Sequence, residues 1–227
     1  MVDHELVAAA RRGLAELADP VKAPQMQRYM RSAMPYRGVQ APAWRPLARR
    51  LARDHPLADV AALAATVGEL WHGARFREER YVALELTSGR RWQRLDLLPL
   101  YEELIVDGAW WDYVDLLAIH RVGPLLRLFP AAVTPVVRGW ATDDSLWLRR
   151  SAVICQVGSK AATYTRLLAY CVERNVGDRD FFLRKGIGWA LREFSRTDPG
   201  WVVAFVESHP ELSPLSRREA TRRLPVG

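Results

Sequence analysis

Residues 110–118 read WWDYVDLLA, and the helical face they form recurs down the chain. Wound as a helix, Trp111, Val114, Asp115 and Ala118 fall at i, i+3, i+4 and i+7, on one face. Three of the four suit a packed or half-packed surface. The fourth is a carboxylate, which is costly in an apolar stripe unless a cation meets it. The expected cation is a ligand. Asp112 is a different kind of acid, favoured in a helix's first turn by the dipole. Trp110 reads as packing.

Moving outward, Phe76, Trp111, Trp147 and Phe182 lie 35, 36 and 35 residues apart. Each begins a stripe of the same kind: Phe76/Glu79/Arg80/Ala83, Trp111/Val114/Asp115/Ala118, Trp147/Arg150/Ser151/Ile154 and Phe182/Lys185/Gly186/Trp189. A period near 35 with two or three helices per unit marks a helical solenoid. Equivalent helices then stand side by side, which predicts a shared concave, charged, Trp-lined surface.

The remaining chain agrees with this reading. Amphipathic segments at 3–18, 24–34, 42–53, 57–72, 75–88 and 93–106 carry helix starts and stops at Asp3, Pro20, Pro42, Gly73, Gly89 and Gly108. WWDYVDLLAIHRVG is predicted to close at Gly123. Thr134-Pro135 is predicted to open the next helix, and Asp143/Asp144 to cap SLWLRRSAVICQVG. Later helices are expected at 160–175, 179–196, 199–208 and 214–224. No alternating strands are bracketed by hairpin turns. The expected fold is all-α, a superhelical stack of HEAT-like repeats with a concave basic cleft, in one domain over residues 1–227.

The net charge of +7 is carried almost wholly by arginine, the lysines being Lys22, Lys160 and Lys185, and nine tryptophans accompany it. Guanidinium pairs with phosphate and stacks on rings, so nucleic acid is an expected partner. No apolar run approaches the roughly 20 residues of a membrane span, and the N-terminus lacks a signal-peptide layout. Cys155 and Cys171 are too few for a disulfide framework and too far apart for a metal knuckle. They read as core thiols in a cytoplasmic monomer, nucleoid-associated when on DNA. A phosphate loop, a GxSxG elbow and paired histidine ligands are all missing. With no metal or cofactor expected, any catalysis runs on carboxylate, water, arginine and rings.

Asp115, Arg150, Lys185, Trp111, Trp147 and Trp189 are the constellation that remains. Indole rings and a carboxylate hold a cation, and arginine and lysine hold phosphates. A substrate cationic at its reacting centre and anionic along its backbone fits, and N-alkylated purine in DNA is one.

WWDYVD with its following LLA, LWLRRSAV (146–153) and FLRKGIGWALREFSRTDP (182–199) resemble the AlkD-type DNA alkylation repair glycosylases. YMRSAMPYRGVQAP (29–42) resembles the start of that family's first repeat, and the similarity spans roughly residues 20–208. It implies a HEAT-like superhelix that excises cationic 3-alkyladenine and 7-alkylguanine from duplex DNA without a base-flipping pocket. By motif, it assigns the catalytic carboxylate to Asp115, its helix-mate tryptophan to Trp111 and the second cleft tryptophan to Trp189. Arg150 matches the phosphate-binding arginine, with Arg149 beside it facing elsewhere. Lys185 joins the cationic set, and Tyr29 matches an aromatic at the lesion.

The chemistry expected from this is monofunctional. An alkylated purine is already a good leaving group, and a fixed carboxylate stabilises the positive charge that builds on the deoxyribose. The alternatives are a HEAT-repeat DNA-binding module or a protein adaptor, both without chemistry. Asp115 separates them, because an adaptor has no use for a carboxylate on that stripe.

Overall fold

The computed structural model describes residues 1–224. The described chain is helical throughout, with no strand among the described residues. None of its helices is long and apolar enough to cross a membrane. Helices stack in the manner of HEAT-like repeats within two compact units, residues 1–92 and the residues from Gln93 onward.

The first unit contains α1 (His4–Glu16), α2 (Ala23–Met30), α3 (Ala41–Asp54), α4 (Val60–His72) and α5 (Arg77–Leu86). Asp3 and Asp59 cap α1 and α4 through their side chains. The unit is tied to the PYRG turn by Glu78 of α5. Its fully buried carboxylate accepts backbone N–H groups from Arg37, Gly38 and Val39 at 2.9–3.1 Å. Gly38 has φ +85, and a Cβ there would lie 2.1 Å from the carbonyl oxygen of Asp19, so only glycine fits.

The second unit contains α6 (Leu98–Gly108), α7 (Trp111–Leu117), α8 (Gly123–Leu128), α9 (Pro130–Trp140) and α10 (Leu146–Ile154). It continues through α11 (Thr165–Glu173), α12 (Phe181–Phe194), α13 (Pro199–Ser208) and α14 (Pro214–Thr221). α10 packs on α7 and α12, and α12 packs in turn on α14. The last residues of RREATRRLPVG, 225–227, lie outside the described residues.

Several boundaries differ from expectation, and three of them have a plain physical cause. The helix of WWDYVD does not close at Gly123. It widens to a π-turn over Ala118–Val122 and runs on into α8. Glycine is needed there for space, since a Cβ would meet the Cys155 carbonyl oxygen at 2.3 Å. Pro124 has no N–H to donate, and Arg121 donates to the His120 carbonyl instead, at 3.1 Å. The next helix opens at Pro130 rather than at Thr134-Pro135, because the break at Phe129 already gives Pro130 the first helical position; Pro135 falls inside α9. Lastly, Ser145 rather than an aspartate occupies the N-cap of α10, and Asp143 accepts the Ser145 N–H at 2.8 Å.

Candidate active site

α7 is seven residues long and carries Asp115 in its second turn. α10 brings Arg150 against it. Arg150 donates from Nε to Asp115 Oδ1 and from Nη2 to Asp115 Oδ2, both at 2.8 Å. Its Nη1 donates to the carbonyl of Phe182 on α12. The Arg150 side chain is 5% exposed and that of Asp115 17%. The cation facing Asp115 is therefore Arg150, which corrects the expectation that a ligand supplies it. The physical reason is the stacking of α7 on α10, which sets residues 35 apart side by side.

Burial pushes the Asp115 carboxyl above its ordinary value, and the nearby Asp112 adds to this. Hydrogen bonds and charge from Arg150 pull the other way. Two parallel charge-assisted bonds fix the plane of the carboxylate. One lone-pair site on each oxygen stays free for a developing cation or a water.

Space for Arg150 comes from Gly186 on α12, where a Cβ would stand 3.0 Å from Nη1. The sequence pattern places that glycine on the Lys185/Trp189 stripe without giving it a part. Gly188 plays the same part on the opposite side of α12, where a Cβ would lie 2.5 Å from the Glu219 Cβ of α14.

The aromatic register also shifts by one. Trp110, not Trp111, packs with Trp147 and Phe182, at centroid distances of 6.2 and 5.4 Å, and Trp147 meets Phe182 at 5.3 Å. Trp110 caps α7 in an extended conformation, which turns its ring toward the helix starts of α10 and α12. Trp111 takes no part in these ring contacts and stays half-buried one turn before Asp115. Trp189 is likewise half-buried, one helical step from Gly186.

The cations expected at the site have different surroundings. Lys185 donates to Glu219 Oε1 at 2.6 Å, and Arg192 of the same helix pairs with Glu219 Oε2. The Lys185 hydrogen bond is the main reason the Glu219 carboxyl is held below its usual range. Arg149 turns away from Arg150 and ties loops together, donating to the carbonyls of Asp143 and Asp144 and to Asp178 Oδ2. Tyr29 lies in the first unit on α2 and is 79% exposed.

Glu219 escaped the sequence reading. It lies 34 residues after Lys185, so extending the same period into α14 finds it. The thiols behave as expected. Cys155 and Cys171 are buried and free, and burial pushes both up, Cys171 to about 12.

These features define an all-α repeat protein with a largely buried, arginine-braced carboxylate one helical turn after Trp111. The family model for DNA alkylation repair enzymes matches residues 10–224. The chain belongs to that family, the AlkD-type family its motifs resemble, and membership supports an alkylation-repair activity of glycosylase type. A solved structure described as a predicted DNA alkylation repair enzyme from Enterococcus faecalis is 26% identical, with a TM-score of 0.84 over 92% of this chain and 98% of that one. A Streptococcus mutans UA159 protein, smu.31, aligns at 16% identity and TM-score 0.63 over 78% of this chain and 91% of its own. AlkD2 from Streptococcus mutans does so at the same values over 79% and 89%. The last two show likeness of fold alone. No curated protein shows significant similarity to the chain.

Proposed function

We propose that this protein hydrolyses the N-glycosidic bond of cationic N3- and N7-alkylated purines in duplex DNA. The observation that carries the reading is the Asp115–Arg150 pair, a carboxylate held in fixed orientation with part of its surface open.

The chemistry needs little more. Alkylation has already placed positive charge on the purine. When the bond from C1′ to the purine nitrogen breaks, its electron pair leaves with the base, which departs neutral. Positive charge is left on the deoxyribose. Asp115 stands where that charge is stabilised, in surroundings drier than bulk water, and its cost of orientation is already met by Arg150. Water adds to C1′ and its proton passes to Asp115 or to solvent. The products are the free alkylated base and an abasic deoxyribose. Trp111 and Trp189 pack on the sugar and limit the approach of other water. The lesion stays in the duplex, so no closed base pocket is required.

Arg150 acts chiefly by positioning Asp115. It keeps one N–H on each terminal nitrogen, and these are what it offers to a backbone phosphate. Lys185, 41% exposed, is the more accessible cation. Arg149 supports the loops, and Tyr29 offers an exposed ring. The partner is double-stranded DNA, bound by a monomer.

The deciding measurement is release of 7-methylguanine and 3-methyladenine from N-methylated duplex DNA. Wild-type release that Asp115→Asn abolishes, with binding of the alkylated duplex retained, supports the reading. Absence of any base release replaces it with a DNA-binding module without chemistry.

A further inference from the structure

A second cationic feature lies in the first unit, among residues to which neither the family resemblance nor the proposed chemistry assigns a part. A groove of about 280 Å³ opens between the C-terminal ends of α3 and α5 and the turn that follows α5. Its lining includes Arg49, Arg53, His55, Arg91 and Trp92. Glu85 is the one carboxylate among the described residues that line it. Arg45, Arg49 and Arg53 continue the groove as an exposed stripe at i, i+4 and i+8 on α3, and the side chains of Arg49 and Arg53 are 69% and 73% exposed. Arg50 and Arg90 flank it, both exposed.

Structural needs account for only part of this charge: Arg91 donates to the Leu57 carbonyl, and Arg53 pairs with Asp54 at 3.1 Å in an exposed contact. A helix dipole favours a cation only within the last turn. Arg53 meets that condition, but Arg49 and Arg45 lie about one and two turns further back. The ion pair of Arg49 with Glu85 is 3.5 Å long and open to water on the arginine side, which makes it a weak restraint.

We infer that this stripe and groove bind the phosphodiester backbone of duplex DNA, as an anchor independent of the lesion. The inference rests on the reading that duplex DNA is the partner. Three arginines at four-residue intervals rise about 6 Å per step and about 12 Å in all. That length spans three to four phosphates of one strand at roughly 3.4 Å of axial rise each. Guanidinium suits this ligand, since its planar fork pairs with phosphate oxygens in two parallel bonds. The surroundings argue against bases and against a protein surface. Trp92 is only 8% exposed and lies under the Arg91 guanidinium, 4.0 Å from the ring centroid, so the indole is not open for base stacking. Among the described residues, the large exposed apolar side chains lie elsewhere, whereas a protein partner seats on a desolvated apolar anchor. What remains is charge without sequence information, the chemistry of backbone contact.

The test is the salt dependence of binding to undamaged duplex DNA, read by fluorescence anisotropy over a range of KCl concentrations. Each neutralised phosphate contributes about 0.9 to the slope of log affinity against log salt. The triple variant Arg45→Ala/Arg49→Ala/Arg53→Ala is expected to lower the magnitude of that slope by about 2 to 3. The corresponding triple lysine variant, which keeps the charge, is expected to retain most of it and guards against an effect of folding. An alanine triple variant with the wild-type slope overturns the anchor and leaves the glycosylase reading standing. So does one that keeps the slope and instead loses binding to polyglutamate, which would assign the patch to acidic polypeptide. A wild-type protein that binds no duplex at low salt overturns both.

Discussion

Asp115 and Arg150, 35 residues apart in sequence, are joined by two parallel hydrogen bonds of 2.8 Å, one to each carboxylate oxygen. The same arginine reaches the Phe182 carbonyl, so one guanidinium links α7, α10 and α12. A further pairing stands one repeat on, where Lys185 of α12 meets Glu219 of α14. The charged positions of successive stripes thus pair between stacked helices rather than standing free, and a distinct consequence attaches to each pair.

Arg150→Ala leaves Asp115, largely but not fully buried, without its cation. Breaking a buried pair by removing one partner costs about 3–5 kcal/mol. At about 2–4 °C per kcal/mol for a chain of this size, the melting temperature falls by roughly 10 °C. Differential scanning calorimetry measures it. Base release is expected to fall with it, and further than Arg149→Ala lowers it, because Arg149 contacts only loops. Equal losses in the two variants would remove the positioning role of Arg150.

Asp115 must be ionised to stabilise a cation, and its carboxyl lies above the ordinary 3.8 because of burial. Base release is therefore full above the raised value and falls as pH drops through it. The acid limb of log kcat/KM against pH, which reports the free enzyme, is expected to have its midpoint above 3.8. The stability effect has the opposite sense. The folded chain takes up this proton more readily than the unfolded one, so ionising Asp115 lowers stability as pH rises from 3.8 through the raised value. An acid limb centred at or below 3.8 would exclude Asp115 as the titrating group.

Glu219 titrates the other way. Its carboxyl is held low, first by the Lys185 hydrogen bond, with Lys185, Arg192 and Arg222 adding charge. The stability it contributes is fully present above the ordinary 4.5 and is lost as pH falls through the lowered value. Amide exchange in α14 is expected to accelerate in acid before that in α10. Glu219→Gln should show fast α14 exchange already at neutral pH; unchanged protection in that variant would show that α14 docks by apolar packing alone.

The two glycines of GIG separate function from stability. Gly186→Ala puts a Cβ 3.0 Å from Arg150 Nη1 and forces the guanidinium to shift. It is expected to lower kcat at least tenfold with little loss of melting temperature. Gly188→Ala puts a Cβ 2.5 Å from the Glu219 Cβ and 2.9 Å from the Ser216 carbonyl oxygen, where backbone cannot yield. That overpacking costs about 1–3 kcal/mol. Thermal melts and single-turnover base release on both variants check the pattern, and similar profiles for the two would refute it.

Local signals carried the helical architecture well. Asp3 caps α1 as its side chain predicts, and α14 begins at Pro214, where a helix start is expected. Boundaries failed where a neighbour intervened. Gly123 reads as a terminator, yet it is glycine because the Cys155 carbonyl presses against it. Pro135 reads as a helix start, yet Pro130 had already taken that position.

For the site, residue types and a 35-residue period were enough to single out Asp115, Arg150 and Lys185 and to place them in equivalent positions of successive helices. Those are local and periodic properties, written in side-chain order. Only the tertiary structure decided what each charge meets: Arg150 for Asp115, Glu219 for Lys185, loop carbonyls for Arg149. It also decided what Trp110, read from the sequence as packing, packs against: Trp147 and Phe182. Pairing depends on distances of an ångström or so between helices far apart in the chain. Those distances are set by the volumes that meet at each contact, including the missing side chains of Gly186 and Gly188.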